Sequence, residues 1–481
     1  MKKKLILLMV LCLMLPLVAC KKEEPSGNIG TPPDNMTQND DFRTQHADYL
    51  NELPERNYSG TEFRVLTSTQ TRKFYLGDET NVAISEAVME RDAELENRYG
   101  VIMDYTVKDG NSSGQNEYVT NIRNSVSDSL GYDLIIGQTY YCMALASEGY
   151  FKDLNGAEYL HLDQEWYHQN INANVLICGK MFGVSGDYLT SQISSAMGLL
   201  YNKDMYNDRS YEYDLYELVR NKQWTLEKMK ILIQDVHDDL NRDEIRDVSD
   251  KYGFFGNGHS INSLIYGFNC PIVEYQEDGS VSINNYYNDH LISVFEALDT
   301  FFNSNEAVFR GGDSDNLNSL VNGNSLFIST WIDNLISERM RNSGYDIGVL
   351  PNPLFDEAQE NYCSYMQRWD LMYIPKNADF EKSTIILEYL NFTSAEHMIP
   401  RYWDEALSTR GANEAADGEM LEIIRDTLFY DFAMVFNTEL GGLKDGVAYL
   451  ISSRSNTLSS WWEKNGSKYA DSLTILQMFY E

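Results

Sequence analysis

Two periods of hydrophobic and polar positions run along the chain, and the switches between them predict its elements. "TEFRVLTS", from Thr61, alternates and is β-branched, so it reads as a strand. In "NVAISEAVMERDAELENRYG", Ala83, Ile84, Ala87, Val88 and Leu95 fall mostly three or four apart, which is one face of a helix. Gly100 is placed as the C-terminal stop of that helix. "VIMDYTV" is a second strand. A helix near Glu117 to Asp128 then leads to "YDLIIG", a short apolar run of the kind found in buried parallel strands. The order β-α-β-α-β implies a parallel sheet with helices on its faces.

The remainder is mixed. "GKMFGVSGD" reads as strand and turn. "WTLEKMKILIQDVHDDL" is a helix with Thr225 as N-cap and Glu227 in its first turn. "HLISVFEALDTFFN", "EKSTIILEYLNFT" and "GEMLEIIRDTLFYDF" are further amphipathic helices, and Trp461–Trp462 reads as helix packing. No internal repeat of fixed period is visible, which speaks against a solenoid.

The N-terminus changes the picture. "MKKKLILLMVLCLMLPLVAC" has a basic start and an apolar run, Leu5 to Ala19, shorter than the about 20 residues a membrane span needs. It reads as a secretory signal. "LVAC", Leu17 to Cys20, resembles the lipobox of bacterial lipoproteins, which implies cleavage before Cys20 and acylation of its thiol. The polar, Pro/Gly-rich stretch that follows reads as a flexible tether spanning on the order of 25 Å.

Composition sets bounds. The 481 residues, 43% of them hydrophobic, suffice for two or three domains with real cores. A formal charge of -35 opposes binding to nucleic acid or anionic lipid. Cys142, Cys178, Cys270 and Cys363 lie beyond the leader without a CxxC, so zinc-ribbon and thioredoxin readings lack support. Export permits up to two disulfides, but the apolar surroundings of Cys142, Cys178 and Cys270 favour buried free thiols.

Several segments resemble, in order and spacing, the extracellular solute-binding proteins of ABC importers, in the group related to maltose- and oligosaccharide-binding proteins. They are "YDLIIG…ALASEGYFKDLN", "GKMFGVSGDYLTSQISSAMGLLYNKDMYND", "QWTLEKM", "LVNGNSLFISTWIDNL" and "YDIGVLPNPLFDEAQENY". Departures are Ser185 where the family usually has Pro, and Asn324 where it has Lys. The resemblance implies an α/β, two-lobe periplasmic-binding-protein-like (type II) fold with a hinge and an interlobe ligand cleft. The implied organisation is a signal peptide at 1–19, the lipidated cysteine and tether at 20–58, a first lobe at 59–178 plus about 366–400, and a second at 179–365 plus about 401–481. Hinge crossings are expected near Cys178–Val184, Tyr362–Tyr373 and Ile399–Leu407. It further implies a monomer that captures a sugar or oligosaccharide by lobe closure and delivers it to an ABC permease. The expected location is the extracytoplasmic face of the bacterial membrane, held there by the lipid anchor.

Ligands of open α/β sheets bind beyond the carboxyl ends of strands. That rule selects Ser68, Thr69 and Gln70 after the first strand, Gln138, Thr139 and Tyr140 after "YDLIIG", and Asp187 and Tyr188 after "GKMFGVSG". Trp331 and Asp333 match the position of the family's tryptophan, and Arg368 and Trp369 sit at the second crossing. Aromatic faces cover the C–H face of a pyranose, while carboxylates and amides bind its hydroxyl edge. An aromatic in a large α/β protein is nevertheless more often core than platform.

Two other functions compete with transport: a surface carbohydrate-binding protein without a transport role, and a secreted glycosidase. The enzyme reading finds no HExxH, and "GVSGD" lacks the last glycine of GxSxG. No cofactor is required. One loop resembles an EF-hand-type calcium site: from Asp239, the ligand positions are Asp239, Asn241, Asp243, Ile245 through its carbonyl, Asp247 and Asp250. Glu244 occupies the sixth position, where the turn favours glycine, and the competing reading is a solvated helix end.

Overall fold

Strand β1 (Thr61–Ser68) begins with exposed Thr61 and Glu62 and then buries Phe63, Val65 and Leu66 completely. The computed structural model describes residues 42–480 except 80, 112, 128–130, 277–278, 367–368, 408–413 and 455–456. The leader, Cys20, the first part of the tether and Arg368 lie outside the described residues. From His46 onward the chain forms a single unit. No described helix is long and apolar enough to cross a membrane.

β1 pairs in parallel with β2 (Val101–Lys108) along its whole length, from Thr61 opposite Val101 to Ser68 opposite Lys108. On its other side it pairs in parallel with β3 (Leu134–Gln138). The helices α1 (Val82–Tyr99) and α2 (Gln115–Ser127) make the two crossovers. The caps follow from local chemistry. The Asn81 side chain accepts the Ile84 N–H, and Gly100 at φ 60 lets its own N–H reach the Glu96 carbonyl. The Thr225 hydroxyl likewise accepts the Lys228 N–H and starts a helix at Leu226–Ile233. That helix is shorter than its apolar pattern suggested, because the following acidic stretch folds as a loop.

A second sheet holds β4 (Met197–Asn202), β5 (Tyr252–Gly256), β6 (Val308–Arg310), β7 (Ser325–Trp331) and β8 (Ile347–Leu350) in the order β8-β4-β7-β5-β6. The first sheet takes one more strand from late in the chain: β9 (Asp370–Tyr373) runs antiparallel to β3 and completes the order β9-β3-β1-β2. The chain therefore builds the first sheet, leaves it for the second, and returns after β8. The later helix α3 (Glu414–Asp426) packs against β8, so a further crossing leads back to the second sheet.

"GKMFGVSGD" does not form the strand its alternation suggested. It makes only isolated bridges, among them the mutual pair of Val184 with Met372, where two crossings lie side by side. Among the described residues, Cys142, Cys178, Cys270 and Cys363 form no disulfide with one another. Cys142 and Cys270 are buried, and Cys178 and Cys363 are half-buried. Trp462 packs against Tyr286 and stacks on Tyr287, with ring centroids 5.6 and 6.0 Å away.

Candidate functional site

The carboxyl ends of β1, β2, β3 and β7 open into one cleft of about 610 Å³. Gln70, Lys73 and Phe74 enter it beyond β1, Asn111 beyond β2, and Gln138 and Tyr140 at the end of β3. Ser191, Ser194 and Ser195 line it from the segment before β4. Trp331, Asp333 and Asn334 line it from the end of β7, so residues at the strand ends of both sheets wall the same space.

Its chemistry is neutral and amphipathic. Phe74, Tyr140 and Trp331 supply aromatic surface, and amides and hydroxyls supply most of the polar groups. The two charges are spent on each other: Lys73 Nζ donates to Asp333 Oδ1 at 2.7 Å. This pair ties an element following β1 to an element following β7. Three buried polar atoms on lining residues, Gln70 Oε1, Ser191 Oγ and Trp331 Nε1, have no hydrogen-bond partner. Gln70 is oriented through its other end, Nε2 donating to Asp109 Oδ1 at 3.1 Å. Trp331 is braced by His259, ring centroids 5.7 Å apart, and burial pulls the His259 imidazole down from its ordinary range.

Of the residues selected from the sequence, Gln70, Gln138 and Tyr140 from the strand-end rule and Trp331 and Asp333 from the resemblance come together in the cleft. Other selected residues sit elsewhere. Ser68 is buried, with Oγ 3.1 Å from Thr71 Oγ1. Thr69 is exposed and does not line the cleft. Thr139 is buried, its N–H donating to the Trp369 carbonyl. Trp369 is turned toward Met366, whose carbonyl accepts its indole N–H at 2.8 Å, and Lys444 Nζ covers its ring at 4.3 Å. Tyr188 is fully buried under the Arg91 guanidinium, 4.9 Å from its ring centre.

Asp187 is corrected most firmly. It is fully buried, and its carboxylate is consumed by Arg425 Nη2 at 2.8 Å and His168 Nε2 at 3.2 Å. Asp187 in turn holds Arg425 protonated more firmly than usual. The assembly Ser185–His168–Asp187 has the residue types of a hydrolytic triad, with Ser185 Oγ 2.8 Å from His168 Nδ1. Its Ser185 hydroxyl is fully buried and donates to Gln192 Oε1, so no substrate reaches it and its proton is already placed. The trio joins chain segments at the crossings; it is not positioned for chemistry.

Lys73, Phe74, Asn111, Asn334 and the three serines escaped the sequence reading. Asn111 was recoverable, because β2 is as parallel as β1 and β3. The serines carry no pattern of their own.

In the acidic loop, Asp239 Oδ1 accepts the Arg242 N–H and its Oδ2 the Glu244 N–H, while Asp243 Oδ1 accepts the Ile245 N–H. Arg242 and Glu244 both adopt left-handed backbone, at φ 60 and 62. Asp250 is fully buried; its Oδ2 accepts from the Asp247 N–H and the Tyr252 hydroxyl, and its Oδ1 has no hydrogen-bond partner. The turn and the Asp250 oxygen fit a cation loop. The convergence is incomplete: among the described residues, the group of three potential ligands gathered within 4.8 Å lies elsewhere, at Glu94, Glu396 and His397.

No protein-family model matches the sequence, and no curated protein matches it. Solved structures do match in three dimensions. The maltose-binding protein MalE of Listeria monocytogenes, in complex with maltose, aligns over 86% of this chain and 98% of its own at TM-score 0.54 and 12% identity. The GacH receptor of Streptomyces glaucescens, solved unliganded and with acarbose, aligns over 86% and 99% at TM-score 0.53 and 13% identity. UgpB of Mycobacterium tuberculosis, in complex with glycerophosphocholine, aligns over 86% and 98% at TM-score 0.51 and 12% identity. The chain shares the two-lobe fold of the maltose- and oligosaccharide-binding group of ABC substrate-binding proteins.

Proposed function

We propose that this chain is the substrate-binding component of an ABC importer and that it captures a neutral sugar or oligosaccharide between its lobes. The observation that carries the reading is the set of unsatisfied atoms on the cleft residues Gln70, Ser191 and Trp331. Trp331 Nε1 is a donor and Gln70 Oε1 an acceptor, both buried beside aromatic surface. A hydroxyl serves either, and a pyranose presents hydroxyls on an edge and C–H groups on a face. The mutual neutralisation of Lys73 and Asp333 leaves no spare charge on the lining residues for an ionic ligand. The cleft also falls in the size range of small-ligand pockets, about 300–1,000 Å³.

In this reading the leader is removed, Cys20 carries the lipid anchor at the extracytoplasmic membrane face, and the closed, ligand-bound monomer docks on a permease. Closure follows from tighter ligand binding in the closed state than in the open one. A thermal-shift screen of neutral mono- and oligosaccharides tests it. The true ligand at a hundred times its dissociation constant adds about 2.7 kcal/mol. Trp331→Ala abolishes the shift while leaving the unliganded melting point within a few degrees. No shift with any sugar, or an equal shift in Trp331→Ala, overturns it. New reducing ends after incubation with oligosaccharides would instead reveal a hydrolase.

The 239–250 loop takes calcium in the same reading, weakly, as a surface staple through Asp239, Asn241, Asp243, Ile245, Asp247 and Asp250. The buried Asp250 oxygen without a partner supports it. Calorimetric titration shows heat that disappears in Asp239→Ala plus Asp243→Ala. A parent protein without heat removes the site.

A further inference from the structure

We propose that Glu94, Glu396 and His397 form a binding site for a first-row divalent cation, with Zn²⁺ as the best match. The site is independent of the sugar reading. Its residues do not line the cleft.

The three side chains each offer one ligand atom, and these atoms lie within 4.8 Å of one another. His397 Nε2 is 3.0 Å from Glu94 Oε1 and 3.5 Å from Glu396 Oε2. Zinc–ligand bonds of about 2.0–2.2 Å at tetrahedral angles separate neighbouring ligand atoms by about 3.4 Å. Both spacings are therefore close to tetrahedral edges, and a cation enters with small side-chain shifts. One imidazole and two carboxylates form a donor set that suits zinc, and three protein ligands leave a position for water.

The surroundings are arranged as a metal's outer ligands are. His397 Nδ1 faces Glu90 Oε2 at 3.5 Å. A carboxylate on that nitrogen favours the tautomer with its proton on Nδ1, which leaves the Nε2 lone pair for the metal. Glu90 is itself held by Arg401, whose Nη2 donates to both of its oxygens at 3.1 Å. Arg401 Nη1 also lies 3.6 Å from Glu86, so its charge is directed to the outer carboxylates. The Tyr389 hydroxyl donates to Glu94 Oε2 at 3.4 Å, and the opposite oxygen faces His397.

The backbone adds a second reason. Glu90 and Glu94 are four apart on α1 and share a face. Glu396 and His397 are consecutive, and a regular helix turns neighbours about 100° apart. Here they lie in a π turn, Ser394–Met398, in which both are buried, 3% and 7% exposed. Such turns are rare and often occur at functional sites.

The test uses the mature chain, stripped with chelator and dialysed against Zn²⁺. We expect one equivalent of zinc retained per chain by elemental analysis, and a melting point raised by several degrees. His397→Gln combined with Glu396→Gln loses the retained zinc and the shift. Glu90→Gln keeps the site and weakens it by 10- to 100-fold, as removal of an outer partner does. Glu94→Gln, at a partly exposed position, repeats the loss should the buried double variant fail to fold. The proposal is overturned if the parent chain retains no zinc, or if the folded variants retain as much.

Discussion

Glu388 shows how one residue organises its surroundings. Its carboxylate is fully buried and accepts from Trp166 Nε1 at 3.0 Å, Tyr167 Oη at 2.7 Å, the His161 N–H at 3.0 Å, and the Tyr49 hydroxyl. Glu388→Ala strands several buried donors, each costing about 1–3 kcal/mol. We expect at least about 3 kcal/mol lost in urea unfolding, and a smaller loss for Glu388→Gln, which keeps an acceptor oxygen. Asp431 behaves differently. Burial pushes its carboxyl up to about 6, against the amides of Ile272, Ala433 and Val273, which favour the charged form. The folded chain therefore holds this proton where the unfolded chain, at about 3.9, has released it. The stabilisation is full below the unfolded value and is lost as pH rises through about 6. Asp431→Asn should flatten the melting point between about pH 4 and 6. An unchanged pH profile would remove Asp431 as its source.

At the scale of an element, the acidic loop resolves a conflict that its sequence posed. Glu244 takes φ 62 although it has a side chain, because three backbone N–H groups around it are satisfied by Asp239 and Asp243. Left-handed backbone costs a non-glycine residue roughly 1–2 kcal/mol. Glu244→Gly should raise stability on the order of 1 kcal/mol, less the entropy glycine gains in the unfolded chain. A lower denaturation midpoint would instead show that the Glu244 side chain supports the turn. The caps at Gly100 and Thr225 were legible because each depends on its neighbouring few residues. The extent of the helix after Thr225 was not, because the choice between helix and loop past Ile233 rests on the pairing of Asp238 with Lys251.

Across the whole molecule, the Lys73–Asp333 pair is the contact to probe. It is 27% and 43% exposed, so it is worth at most about 1 kcal/mol and is weakened by salt. A pair of that strength holds the unliganded lobes near each other without preventing entry. Lys73→Met should enlarge the radius of gyration measured by solution scattering at low salt. The parent chain should move the same way as salt rises toward about 1 M, where the Debye length is about 3 Å. Identical scattering from both proteins would show that other contacts set the opening. The candidate cleft was legible to the degree that it consists of strand ends. Gln70, Gln138 and Tyr140 follow from the ends of β1 and β3, and Trp331 and Asp333 from the resemblance, while Ser191, Ser194 and Ser195 enter only because the crossing segment folds across the opening.

By itself, the sequence determined the unit from β1 to β3, its crossovers and its cap at Gly100, since periodicity and capping act over a few residues. It also determined that strand ends would line the cleft, since a parallel sheet gathers its carboxyl ends. Tertiary structure decided which side chains meet. Asp187 is spent on Arg425, 238 residues away, Lys73 on Asp333, 260 away, and His397 meets Glu94, 303 away. No local pattern carries those partnerships. For Asp187 and His397, burial makes an unpaired charge too costly, and for all three pairs only the folded chain shows which opposite charge is within reach.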